Sequence, residues 1–337
     1  KNKNKNSKKI LANKKNKTTY GTLALAFFWL VLLSGVLLAI PFDVADPYLS
    51  ISKFLVSNPL ASIIRNSHYW SSQFFLIFSL IHLYDHFHFK KKIGLKIGMA
   101  LRLSVGVLVI FLAMLTGFLL KADADSLQAR QILEALSHRI PVIGQSLAFS
   151  LLGNEGDFQI IYVHHIATFT IFISIIMVEH SRKFWPPWRD LILTLFIVTG
   201  ISYFINAPLH DNLNPVVKGP WYFVGFQEIL HWLRHPGWSI LLVLLLLVLI
   251  YFATAGKQKI SFRSKRTLLG FTLGYAILTI IGLFFRGEQW KWHYPWQPEY
   301  KQSVLHNFKI SGVDFGTDFN ESIALNSSTI NGRKESC

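Results

Sequence analysis

The chain alternates long apolar runs with short polar, basic or aromatic connections. Seven runs have the length and apolarity of membrane-crossing helices, at about 21–40, 69–89, 101–120, 160–178, 191–205, 238–253 and 268–285. Residues 1–19, rich in Lys and Asn, precede the first and are expected to be disordered. Residues 121–158 are polar but punctuated by Leu127, Ile132, Leu133 and Leu136. That pattern predicts short amphipathic helices on a membrane face, broken at Pro141. Residues 206–236 lie outside the apolar runs and contain GPWYFVGFQEILHWLRHPG, and WKWHYPW after the last run reads as an interfacial aromatic cluster. The expected class is an all-α polytopic membrane protein. Its expected divisions are a basic tail (1–19), a four-helix domain (20–188), a three-helix domain (189–296) and a polar tail (297–337).

Composition agrees with the membrane class: of 337 residues 51% are hydrophobic and only 15% charged, against about 25% charged in soluble proteins. The basic start before an apolar run has the outline of a secretory signal, but this run is long enough to span and has no convincing small-residue cleavage site. The net charge of +16 comes from short clusters between apolar runs, which argues against nucleic acid as the partner. With the N-terminus inside, segments 1–19, 90–102, 182–189 and 257–266 hold 21 Lys and Arg, against seven in the longer outer loops 41–67, 121–158 and 207–235. The positive-inside rule therefore predicts that orientation. The one cysteine, Cys337, excludes an intrachain disulfide, a Cys-ligated cluster and a Cys-x-x-Cys-His haem attachment within this chain.

Histidines supply the candidate chemistry. His68 and His82 are fourteen residues apart in the second run, about −40° of net helical rotation and about 21 Å of rise. His165 and His180 are fifteen apart in the fourth, about +60° and about 22 Å. The two runs are antiparallel, yet His68 matches His165 in depth near the outer face and His82 matches His180 near the inner one. Facing pairs at two depths suit two stacked haems, each iron held by one imidazole from each helix. His164 faces about 160° away from His180 and reads as a packing residue. So do His86, His88, His231 and His235, which lie near interfaces without a matched partner. Gly21 and Gly35, also fourteen apart, fall near the two proposed depths, where a missing side chain lets a porphyrin edge approach the backbone. Gly106 and Gly117 in the third run fit that role less well.

These residues carry a family resemblance. RNSHYW…IHL, then TGF at Thr116–Phe118, PVIGQSLAFSLLG, YVHH with His180 fifteen on, and GPWYFVGFQEIL together resemble the cytochrome b of cytochrome bc-type complexes. The 14/15 spacing is similar to the chloroplast and cyanobacterial type, and the resemblance covers about residues 20–296. It implies a dihaem subunit of a quinol:cytochrome c-type oxidoreductase, with two haem b as cofactors and quinone/quinol as substrate. His68 and His165 would hold the outer, lower-potential haem iron, and His82 and His180 the inner, higher-potential one. Quinol would be oxidised outside, near PVIG and Trp221–Tyr222, with Tyr222 at the site. One electron would pass to a Rieske iron–sulfur protein and the other through the haems to an inner quinone site, with a cytochrome c-type subunit and a homodimeric assembly as further partners. Arg65 would meet a haem propionate, and Asp190 corresponds to the inner quinone-site carboxylate; the competing reading of Asp190 is a solvated carboxylate at a helix start.

Departures from the family pattern are equally specific. Its Pro-Glu-Trp-Tyr glutamate is missing, since Pro220 stands directly before Trp221. Quinol oxidation needs a proton acceptor, and Glu228 is the substitute candidate. Leu120-Lys121-Ala122 replaces Leu-Pro-Trp, and Asp85 and Ile160 stand where the family has arginines, leaving Lys90–Lys92 and Arg182 for inner propionates. The first run has no cysteine for a covalent extra haem. Two rivals remain open: a dihaem quinone-linked anchor of another redox complex, and a transporter whose histidines and Asp190 form a proton path.

Overall fold

The computed structural model describes residues 18–58, 60–89, 95–181, 184–213, 217–255, 258–286 and 291–292. The lysine-rich start, Lys90–Lys92, Arg182, most of the WKWHYPW cluster and the polar tail lie outside these, as do the side chains of His86 and His88. The described residues fold into α1 (Tyr20–Ala39), α2 (Pro47–Ser57), α3 (Ala61–Phe89), α4 (Ile97–Leu119), α5 (Ala124–His138), α6 (Gly144–Leu152) and α7 (Gln159–Val163). A π turn (His164–Phe169) runs into α8 (Thr170–Ser181), followed by α9 (Trp188–Phe204), α10 (Trp221–Trp232), α11 (Trp238–Ala255) and α12 (Gln258–Phe284). The expected all-α class holds.

Local chemistry sets the boundaries. Thr19 and Thr22 form a capping box at the start of α1. Asp46 caps α2 just before Pro47, and Asp123 caps α5. The break expected at Pro141 falls between α5 and α6, with Val142 at φ 69, and Gly153 at φ 72 ends α6. Among the described residues, five helical stretches are long and apolar enough to cross a membrane: α1, α4, the run Gln159–His180, α11 and Ile260–Phe284. Of the other two expected spans, α3 has 29 residues but carries His68, Gln73, His82 and Asp85, and α9 has 17 residues, just short of a span. The loop expected at 41–67 contains α2 and the first two turns of α3, neither of which has the uniform apolarity of a span.

Two compact units interleave along the chain, one made of 1–121, 143–208 and 243–268, the other of 122–142, 209–242 and 269–337. In the first, α1 packs on α3 through Phe27, which stacks on Phe74 and Phe78 at 5.0 and 5.3 Å. Phe75, Val109, Phe169, Ile173 and Val198 bring α4, the π turn, α8 and α9 into the same core. Polar bonds fasten both ends of α9 to the bundle. At one end Asn66 donates to Ser202 O (2.9 Å) and accepts from Ala207 N (2.8 Å). At the other, buried Asp190 accepts from the hydroxyls of Thr18 (2.7 Å) and Thr22 (2.6 Å). In the second unit, Asp123 and Asp125 of the α5 start accept from the backbone N–H groups of His210 and Lys218, each at 2.9 Å.

Candidate functional site

The four histidines meet as two pairs, all within the first unit. His68 on α3 faces His165 in the π turn with ring centroids 6.1 Å apart and planes at 74°. His82 on α3 faces His180 on α8 at 5.9 Å and 69°. Metal–imidazole bonds run about 2.0–2.1 Å, so two rings bound to opposite sides of one ion have centroids about 6.3 Å apart. Both pairs are close to that separation. Among the described residues no three His, Cys, Asp or Glu side chains gather in one place. A pair of imidazoles suffices when the ion's in-plane ligands come from a macrocycle, as in haem.

The outer pair is oriented by matching elements on two different helices. His68 Nδ1 is 3.1 Å from Val31 O and 3.3 Å from Ser34 Oγ on α1. His165 Nδ1 is 3.0 Å from Ala113 O and 3.3 Å from Thr116 Oγ1 on α4. A carbonyl can only accept, so Nδ1 carries the proton in each ring and Nε2 keeps its lone pair for a metal. In both helices the carbonyl lies four residues before a glycine and the hydroxyl one before it: Val31, Ser34, Gly35 and Ala113, Thr116, Gly117.

Those glycines are seats for the rings. A Cβ on Gly35 would come within 3.1 Å of His68 Cε1, one on Gly21 within 2.9 Å of His82 Cε1, and one on Gly117 within 2.6 Å of His165 Cε1. Gly21 thus lies against one α3 histidine and Gly35 against the other. Gly117, on the third run, makes the closest approach of the three. Gly106 instead lies against Ile176, at 3.1 Å. The missed signal was the Thr116-Gly117 pair, which parallels Ser34-Gly35.

The π turn resolves the unequal spacing. Fifteen α-helical steps would leave His180 about 100° out of phase with the fourteen-step arrangement on α3. A π turn takes up one extra residue. With it, His165 and His180 share the phase relationship of His68 and His82, and the turn begins at His164, next to the ligand candidate. His164 turns elsewhere, as expected: its Nε2 is 2.8 Å from Ser150 O and its ring stacks on Phe169.

The other candidates fall in different places. Arg65 donates from Nη1 to Ala207 O (2.8 Å) and from Nη2 to Pro208 O (2.7 Å), closing the end of α9. Asp190 begins α9 as read, but it is fully buried among threonine hydroxyls rather than solvated. In the second unit, Tyr222 is buried at the start of α10 and its carbonyl accepts from Tyr275 OH (2.6 Å). Glu228, on the same helix, is fully buried against Arg286.

A family model described as cytochrome b/b6/petB matches residues 7–182, which hold all four histidines. A solved structure described as "Hyperthermophilic respiratory Complex III" matches with a TM-score of 0.61 at 15% identity, over 87% of this chain and 88% of that one, a likeness of fold. A search of curated proteins finds no match.

Proposed function

Because the chain belongs to the cytochrome b/b6 family, an integral-membrane, haem-linked electron-transfer family, we propose that it is the dihaem subunit of a quinol:cytochrome c-type oxidoreductase, oxidising quinol at the outer side and passing electrons to an inner quinone site. The observation that carries this reading is the pairing of His68 with His165 and of His82 with His180. When bound, the two haems would supply reversible one-electron chemistry at two depths of the membrane.

The chain's own residues supply the rest. The Val31 and Ala113 carbonyls fix the imidazole tautomer at the outer pair, and Ser34 and Thr116 add a second bond to each Nδ1. Gly21, Gly35 and Gly117 keep side chains away from the rings. Phe27, Phe28 and Phe75 are buried between the two depths and exclude water from the interior. Asp190 is the inner quinone-site candidate, a buried carboxylate next to the α1 start that carries Gly21. Tyr222 is the outer-site candidate. The basic segments on one side support an inside N-terminus. The likeness of fold to a respiratory complex supports a multi-subunit assembly; a Rieske protein, a cytochrome c-type subunit and a second copy of this chain are the partners this reading requires.

Pro220 directly before Trp221, with Glu228 held by Arg286, favours one second reading, a dihaem quinone-linked anchor without bifurcation. Both readings are tested by adding a quinol to the purified oxidised complex and following haem b reduction optically. Reduction with a Rieske protein co-purifying supports the first reading, reduction without one supports the second, and no reduction by any quinol contradicts both.

A further inference from the structure

The face of α10 that carries Tyr222 also carries Gly225 and Glu228, three residues apart in each step, and all of it lies against α12 and Arg286, two residues beyond its end. Tyr275 OH donates to Tyr222 O at 2.6 Å. A Cβ on Gly225 would come within 2.6 Å of Thr279 Oγ1 and 3.0 Å of the Tyr275 ring, so the helices touch there almost backbone to side chain. At the third level Arg286 donates to Glu228 through Nε (3.1 Å to Oε1, 3.2 Å to Oε2) and Nη2 (2.7 Å to Oε1). Trp232 Nε1, one turn on, also donates to Oε1. Glu228 is 0% exposed and Arg286 8%, and Trp292 packs over the guanidinium at 5.5 Å.

Such a carboxylate is poorly placed to collect a substrate proton. Oε1 already accepts from three donors, and a proton arriving on Glu228 would leave the buried guanidinium without its counter-charge. The same arrangement is well suited to fixing α10. We infer that Glu228 and Arg286 are positioning residues, an ionic brace that holds α10 along α12 and thereby fixes the Pro220–Trp221–Tyr222 start of α10, and that Glu228 is not the proton acceptor of quinol oxidation. This rests on the proposed outer quinol site at Tyr222, and it deepens that reading by separating the residues that hold the site from those that meet substrate.

The test compares E228Q with the double variant E228M/R286M in the purified holo-complex. Removing one partner leaves the other charge buried alone, whereas replacing both with apolar side chains of similar length removes the conflict. The brace predicts that E228Q lowers quinol kcat/KM about tenfold or more with the pH profile of kcat unmoved, and that E228M/R286M recovers most of that loss. A double variant as impaired as E228Q, or a pH profile shifted by E228Q, overturns the brace and returns Glu228 to proton transfer. The thermal denaturation midpoint of the same variants needs no quinol. A midpoint lowered in E228Q and restored in the double supports the brace even if the wild-type complex oxidises no quinol, a result that would sink the outer-site reading alone. Equal midpoints in all three proteins contradict the brace.

Discussion

Gly117 lies directly under the imidazole of His165, so close that a Cβ there would stand 2.6 Å from Cε1. Nothing flexible can yield, because the obstructing atom belongs to a ring held by Ala113 O and Thr116 Oγ1. Overpacking of this kind costs about 1–3 kcal/mol, or about five- to 150-fold in an equilibrium. G117A is therefore expected to lose much of the outer haem and keep the inner one. G35A, with a contact of 3.1 Å, is expected to do so more mildly. Haem content by optical spectroscopy, resolved into two components by redox titration, checks both.

The hydroxyl beside each outer histidine is the second bond to Nδ1, not the first. Carbonyls at 3.1 and 3.0 Å remain if Ser34 or Thr116 is replaced. Partners of this kind are worth about 10- to 100-fold in metal affinity when lost outright. T116V and S34A are expected to reach only the lower end of that range, with a changed midpoint potential confined to the outer haem. A change in the inner haem instead would contradict the assignment of these hydroxyls.

The π turn predicts an unusual tolerance. Deleting Ala167 makes the His165–His180 spacing fourteen and lets the turn relax to an α-helix with the same phase. Both haems should be retained. Deleting Leu76 from regular α3 has no such reserve: it rotates His82 by about 100° relative to His68, and one haem should be lost. Haem stoichiometry of the two deletion variants decides.

Burial lowers the pKa of Lys218, which lies outside the spans, below the usual lysine value of 10.5. The unfolded chain therefore binds the proton more tightly, and folding stability from this group rises with pH between the lowered value and 10.5. K218M removes the penalty. Its gain in denaturation midpoint should be greatest near neutral pH and shrink as the pH climbs toward that limit.

Much of this was legible in the chain because membrane helices and axial ligands leave strong marks. Apolar runs gave the helices, and rotation per residue gave the faces of His68 and His82. Depth matching then gave their partners. What stayed hidden depends on packing. The seat at Gly117 is marked by a local pattern, the Thr116-Gly117 pair that parallels Ser34-Gly35, and not by a fourteen-residue glycine spacing like that of Gly21 and Gly35. The π turn has no composition of its own: HHIATF reads as ordinary helix, and only the fifteen-residue spacing hinted that an extra residue had to be absorbed. The first turns of α3 and all of α2 are too polar for a span, so the apolar pattern leaves them unmarked. Arg286 lies 58 residues from Glu228 in the chain, and no local pattern links them.

The most direct measurement is the number of b-type haems per chain, taken from the reduced-minus-oxidised spectrum of the purified protein and repeated on H82A. Two haems in the wild type, with H82A losing the inner one and keeping the outer, is the predicted result. No haem in the wild type, or two still bound in H82A, would contradict the pairing of His68 with His165 and of His82 with His180.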